Sequence, residues 1–153
     1  MISSAKFEEI KEITREFLEK TTFDIEVEFL PQQDLTLPIN LKTQEPQILI
    51  GENGQTLVDL QHILKAILKR KIQEDFYIDL DINGYKEKKI EYLKELAKSV
   101  ADEVSLMKEE RSLPFMPAYE RRIIHMELAE RSEIDTESVG REPERKVVIS
   151  PHS

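Results

Sequence analysis

Two short stretches carry residue types that can grip phosphate. The first is Gly51-Glu52-Asn53-Gly54, which follows the apolar triplet Ile48-Leu49-Ile50 and precedes a helical pattern. Backbone N–H groups at a helix start lack intrahelical partners, and the helix dipole is positive there. Glycines without a Cβ let another backbone come close, which suits a phosphate or a sugar-phosphate chain. The second stretch is Arg121-Arg122-Ile123-Ile124-His125. Arg121 and His125 are four residues apart, so a helix places them one turn apart on one face. A guanidinium pairs with phosphate, and an imidazole stacks on a base or donates to a phosphate. Each stretch also has a plainer reading. Asn53-Gly54 makes an ordinary turn, and arginines at helical spacing usually solvate a surface.

The elements that must position these groups follow from hydrophobic periodicity. Ser4 to Lys20 reads as an amphipathic helix with Phe7, Ile10, Thr14, Phe17 and Leu18 on one side. Phe23 to Leu30, Leu35 to Leu41 and Phe76 to Ile82 alternate as strands. Pro38 within the second suits an edge strand better than a central one. Ile48 to Ile50 reads as a short buried strand running into the glycine loop. The helix after the loop has Leu57, Leu60, Leu64, Ile67 and Leu68 on one face, and His62, Lys65 and Lys69 on another. The simplest assembly lays two helices on the apolar face of a sheet whose other face carries Glu26, Glu28, Asp79 and Asp81. Such alternating carboxylates are commonly a solvated face, with a metal or acid–base pair as the rarer alternative.

Gly84 marks a break. Tyr85 to Glu110 reads as a long helix with Ile90, Leu93, Leu96, Ala97, Val100, Val104 and Met107 in one stripe. The breaker-rich run Ser112 to Pro117 precedes a helix over Ala118 to Arg131. Asp135 to Val139 and Arg145 to Ser150 then read as a hairpin closed by Gly140-Arg141-Glu142-Pro143-Glu144. The expected organisation is residues 1–84 as one domain, 85–111 as a connecting helix and 112–153 as a second domain.

Composition bounds the function. The 153 residues carry a net charge of −9 and no cysteine, which excludes disulfides, Cys-ligated zinc and thiol catalysis and fits a reducing cytoplasm. No apolar run approaches the about 20 residues of a membrane span, and no charged-then-apolar leader is seen. Acidic charge concentrates early. Residues 1–83 hold 9 Lys+Arg against 16 Asp+Glu, and residues 84–153 hold 13 against 15. Any nucleic-acid site is therefore a local, salt-sensitive patch. No nucleophile–base pair, zinc ligand set or Gly-x-x-x-x-Gly-Lys loop appears, so neither enzymatic activity nor a cofactor or metal is expected.

Ile50 to Gln61, with the pattern Ile-Gly-x-x-Gly-x-Thr-Leu-x-x-Leu-Gln, resembles the Gly-x-x-Gly loop and following helix of a bacterial KH domain. That loop clamps the backbone of single-stranded nucleic acid. Pro-x-x-Ala-Tyr-Glu-Arg-Arg-Ile-Ile-His, then Gly-x-Glu-Pro-Glu-Arg-Lys-Val-Val-Ile, closely resembles the R-three-H domain, a binder of single-stranded nucleic acid. The two domains in this order resemble the Jag (SpoIIIJ-associated, KhpB) family, in a short form lacking its N-terminal Jag domain. The reading of residues 48–50 leaves no room for the short helix that most KH domains place before the loop.

The resemblance implies an α+β fold, with a KH-like two-layer domain joined by a long helix to a small α/β R-three-H domain. It implies a cytoplasmic protein that binds single-stranded RNA, with single-stranded DNA as an alternative. The implied role is post-transcriptional control linked to cell division or envelope growth. Gly51, Glu52, Asn53, Gly54, Lys65 and Lys69 would serve the first site. Arg121, Arg122, His125, Arg141, Arg145 and Lys146 would serve the second. A small KH-domain protein is an implied partner, and a homodimer is open. Relatives usually carry Lys or Arg among the two central loop residues, where this chain has Glu52 and Asn53. A carboxylate ~4 Å from a phosphate costs about 1 kcal/mol in water and about 4 kcal/mol at a surface-like dielectric. The competing reading is a protein-interaction module with weak or no nucleic-acid binding.

Overall fold

The computed structural model describes residues 2–153. They form two compact units, one ending at Lys86 and one spanning Glu87–Ser153. Each has its own three-stranded sheet and its own apolar core, so the chain is α+β. Among the described residues no helix is long and apolar enough to cross a membrane.

In the first unit, helix α1 (Ser4–Glu19) begins at Ser3, whose side chain accepts from Lys6 N at 3.3 Å. Ile10, Ile13, Thr14 and Leu18 are buried. Thr14 is tolerated there because its hydroxyl donates to the Ile10 carbonyl at 2.8 Å. Strands β1 (Ile25–Phe29), β2 (Thr36–Thr43) and β3 (Tyr77–Ile82) form a sheet in the order β1-β2-β3. β1 runs antiparallel to β2 and β3 runs parallel to it. Leu37, Ile39 and Leu41 on β2 and Ile78, Leu80 and Ile82 on β3 all point into the core. Burying one such side chain is worth about 1.5–3 kcal/mol, so a one-residue slip that turned either set outward is excluded. Helix α3 (Gln55–Lys71) adds Leu57, Leu64 and Leu68 to the same core.

Two expectations are overturned here. Pro38 lies in the central strand, not an edge strand. Its carbonyl accepts from Leu30 N at 3.1 Å, just beyond the last β1 register pair, Phe29↔Ile39. The missing N–H therefore falls at the frayed end of one pairing and costs a single ladder bond. Ile48 to Ile50 is not a strand. It is the end of a short helix, α2 (Pro46–Ile50). Pro46 in its first turn has the φ a helix needs, and β2 already has a neighbour on each side, so a helix satisfies this backbone by itself. Leu49 is buried and Ile48 is exposed.

Two of the strand acids, Asp79 and Asp81, have partners within the unit. Asp79 pairs with Lys86, and Asp81 Oδ1 accepts from Ile82 N at 2.9 Å and Lys86 N at 3.2 Å. Gln61 Oε1 accepts from Leu80 N at 3.0 Å, so a residue of the glycine-loop helix satisfies an N–H on the free edge of β3.

In the second unit, helix α4 (Tyr85–Met107) buries Leu93, Ala97, Ala101 and Val104. From Glu87 onward it belongs to this unit, and its apolar stripe is part of that core. Ile90 and Met107, predicted on the same stripe, are exposed. A two-residue strand, β4 (Arg111–Ser112), pairs with β6 (Lys146–Pro151), which also pairs antiparallel with β5 (Ile134–Val139). The hairpin is as expected, whereas β4 is too short to leave a period in the sequence. Helix α5 (Ala118–Leu128) contributes Ile124 and Leu128 to the core.

Candidate nucleic-acid interface

The glycine loop joins two helices, where the sequence pattern suggests a strand and a helix. Gly51 has φ 75° and ψ −179°, a region open essentially to glycine. A Cβ there would collide with the Thr56 side chain, whose Cβ would be 2.7 Å away. Asn53 is left-handed at φ 54°, ψ 26°, a conformation asparagine tolerates. Gly54 is buried at φ 78°, with the Tyr85 ring 3.1 Å from where a Cβ would sit. Both glycines are favoured by their positive φ, and Gly51 is also held by contact with Thr56. No side chain caps the α3 N-terminus. Glu52 is exposed at the loop and does not take that place.

The cations expected to extend this site are spread along α3. At about 1.5 Å per residue, Lys65 lies about 15 Å along the axis from Gln55, and Lys69 about 21 Å. Lys65 Nζ sits 5.7 Å from the Tyr77 ring centroid on β3. Lys69 and His62 are exposed. The helix axis therefore separates Lys65 and Lys69 from the Gly51–Gly54 loop.

In the second unit the two named motif residues do something the sequence does not suggest. Pro117 is the N-cap of α5, and its carbonyl accepts from Glu120 N and Arg121 N, both at 3.1 Å. Arg121, one turn in, is only 7% exposed. Its Nη1 donates to the Met116 carbonyl at 2.6 Å and its Nη2 to Glu142 Oε1 at 2.7 Å. A buried guanidinium needs such partners, and here they come from the loop before α5 and from the hairpin tip. In the structure Arg121 holds two loops against the helix.

His125, one turn further, bridges to β5. Its Nδ1 lies 2.8 Å from Thr136 Oγ1 and its Nε2 2.7 Å from Ser138 Oγ. Each hydroxyl can donate or accept, so both ring nitrogens are satisfied in either tautomer. Burial first, and the Arg121 charge second, hold the imidazole below the ordinary histidine range. His125 is therefore a neutral brace at neutral pH.

Arg145 is also engaged: its Nη1 donates to the Gly140 carbonyl at 2.8 Å and steadies the hairpin turn. Gly140, at φ 96°, has no room for a Cβ, which would meet the Glu144 carbonyl oxygen at 2.5 Å. The Glu142–Pro143 peptide is cis. The cations that face solvent are Arg122 and Arg141, both exposed and without a charged partner among the described residues. Lys146 Nζ lies 5.9 Å from the centroid of Phe115, a half-exposed ring in the loop before α5. Sequence reading passes over Phe115, Thr136, Ser138 and the ion-pair role of Glu142. Only the flanking prolines of Phe115 offer a hint, because they fix backbone at that point.

Around α5 and the hairpin, Arg121, His125 and Arg145 are held by partners within the unit, Arg122 and Arg141 are exposed, and Lys146 is half-exposed beside Phe115. Among the described residues no group of three or more His, Cys, Asp or Glu side chains could hold a metal.

The R-three-H domain family matches residues 91–151, which takes in most of α4 as well as α5 and the hairpin. Relatives bearing the name RNA-binding protein KhpB match most of the chain. That of Clostridium symbiosum is 35% identical over 156 residues, covering 98% of this chain and 70% of the relative. That of Lactiplantibacillus plantarum is 33% identical over 129 residues, covering 84% and 39%. That of Bacillus subtilis is 33% identical over 117 residues, covering 75% and 56%. The chain is therefore shorter than each of these relatives, and it belongs to the KhpB family.

Proposed function

We propose that this protein binds single-stranded RNA through two regions, the hairpin side of α5 and the Gly51–Gly54 loop. The observation that carries the reading is the R-three-H match falling on the unit where Arg122 and Arg141 are exposed and Lys146 is half-exposed beside Phe115. These three cations would take phosphates, while Arg121 and His125 hold the surface in shape. The name of the relatives, RNA-binding protein KhpB, supports RNA over DNA.

The first unit contributes a KH-like arrangement. Its order of helix, two strands, short helix, glycine loop, helix and strand supports that reading, and α2 supplies the short helix that the sequence pattern leaves out. Glu52 stands in the loop just before the uncapped α3 N-terminus, and its carboxylate opposes phosphate. The first site is therefore the weaker of the two. The family resemblance also supports post-transcriptional control in the cytoplasm, and pairing with a small KH-domain protein or a second copy.

The test is fluorescence anisotropy with short single-stranded RNA and DNA across a salt series. Arg122→Ala with Arg141→Ala should weaken binding and flatten the salt dependence by about 0.7 per lost phosphate contact. Glu52→Lys should strengthen binding at low salt. If the intact chain binds neither nucleic acid at low salt, the protein is an interaction module and the reading is wrong.

A further inference from the structure

We infer that Phe115 is a base-stacking platform, with Lys146 as the cation that passes from its ring to the neighbouring phosphate when a strand binds. This deepens the RNA-binding reading and rests on it. The ring is 53% exposed, although its neighbours Leu113 and Met116 are buried to 4% and 7%. An isolated exposed apolar residue needs no explanation. What sets Phe115 apart is the way its backbone is held.

Leu113 N donates to the Val147 carbonyl at 2.9 Å and Met116 N to the Arg145 carbonyl at 3.0 Å, so the loop is tied to the hairpin on both sides of Phe115. Arg121 Nη1 holds the Met116 carbonyl. Pro114 and Pro117 restrict the remaining torsions. The ring is thus fixed outward on a rigid support, and a base that stacks on it pays little ordering cost. The Lys146 ammonium lies over the ring, 5.9 Å from its centroid, where the negative face of the π system attracts a cation. A base presents a π face in the same place, and its phosphate takes the ammonium. Aromatic rings interleaved with cations are how single strands are held without sequence preference. Arg121 becomes a positioning residue, because it steadies the loop that carries the ring.

The chain contains no tryptophan, so Phe115→Trp installs a single tryptophan at the platform, excited apart from the tyrosines. The probes are a short oligoadenylate RNA and a sugar-phosphate chain of the same length without bases. Phe115→Trp should bind the RNA at least as tightly as the parent, with its emission quenched by the RNA but not by the abasic chain. Phe115→Leu should lose about five- to 150-fold in RNA affinity with the salt slope unchanged. Its affinity for the abasic chain should stay at the parent value. Because the ring is half exposed, the urea midpoint of Phe115→Leu should match the parent and exclude misfolding as the cause. Parent-like RNA affinity in Phe115→Leu, or no quenching in Phe115→Trp while the parent binds, overturns the platform and leaves RNA binding standing. Failure of the parent to bind RNA overturns both.

Discussion

Arg121→Ala should destabilise the second unit strongly enough that lost RNA binding cannot be taken at face value. The substitution removes a 2.6 Å bond to the Met116 carbonyl and a 2.7 Å ion pair with Glu142. The first is buried and has a charged donor, a kind of bond worth about 1.5–3 kcal/mol. The second contributes less, about 0–1 kcal/mol, because the Glu142 side chain is 58% exposed and water screens it. Together they give about 1.5–4 kcal/mol. At about 4–8 °C per kcal/mol for a unit of this size, melting should fall by roughly 6–30 °C. Glu142→Gln keeps an acceptor for Arg121 and removes only the exposed charge, so it should cost less than about 1 kcal/mol. Arg121→Lys should fall between them, because one ammonium cannot reproduce a planar fork. Urea and thermal unfolding followed by circular dichroism measure all three, with anisotropy on the same samples. An Arg121→Ala protein as stable as the parent, yet more than about tenfold weaker on RNA, would refute the clamp and make Arg121 a direct phosphate ligand.

Three further outcomes follow from the geometry. His125 has a lowered pKa, so between that value and the unfolded value of about 6.5 the unfolded chain binds more protons than the folded one. Stability then rises with pH through that window and is full above about 6.5, so urea midpoints should drop from about pH 7.5 to about pH 5.5, and His125→Gln should flatten that drop. Gly51→Ala places a Cβ against Thr56 at a positive φ and should cost about 1–3 kcal/mol, read as a lower melting temperature of the first unit. Thr56→Ser should relieve little of that cost, since the backbone strain remains.

The periodic elements were readable because they are local. The alternation in β3 and the stripe in α1 record which face is buried, and burial dominates the energy of both. The hairpin was readable from Gly140, whose φ of 96° has no substitute at that turn. Ile48 to Ile50 was misread because three apolar residues fit a strand or a helix equally well, and only the neighbours of β2 decide between them. The same holds for Pro38. Whether a strand is central depends on pairing with a segment about forty residues away in sequence, and the one lost bond shows only in the register with β1.

The site divides along the same line. Spacing within one chain segment was enough to place Gly51-x-x-Gly54 before a helix and to put Arg121 and His125 on one helix face. What those groups do came from packing between segments. The Met116 carbonyl and Glu142 reach Arg121 from two loops, and Thr136 and Ser138 reach His125 from a strand. Burial and partners are properties of what packs against a residue, and no local pattern encodes them. They gave the two residues of the named motif partners within the fold and left Arg122, Arg141 and the Phe115 ring exposed.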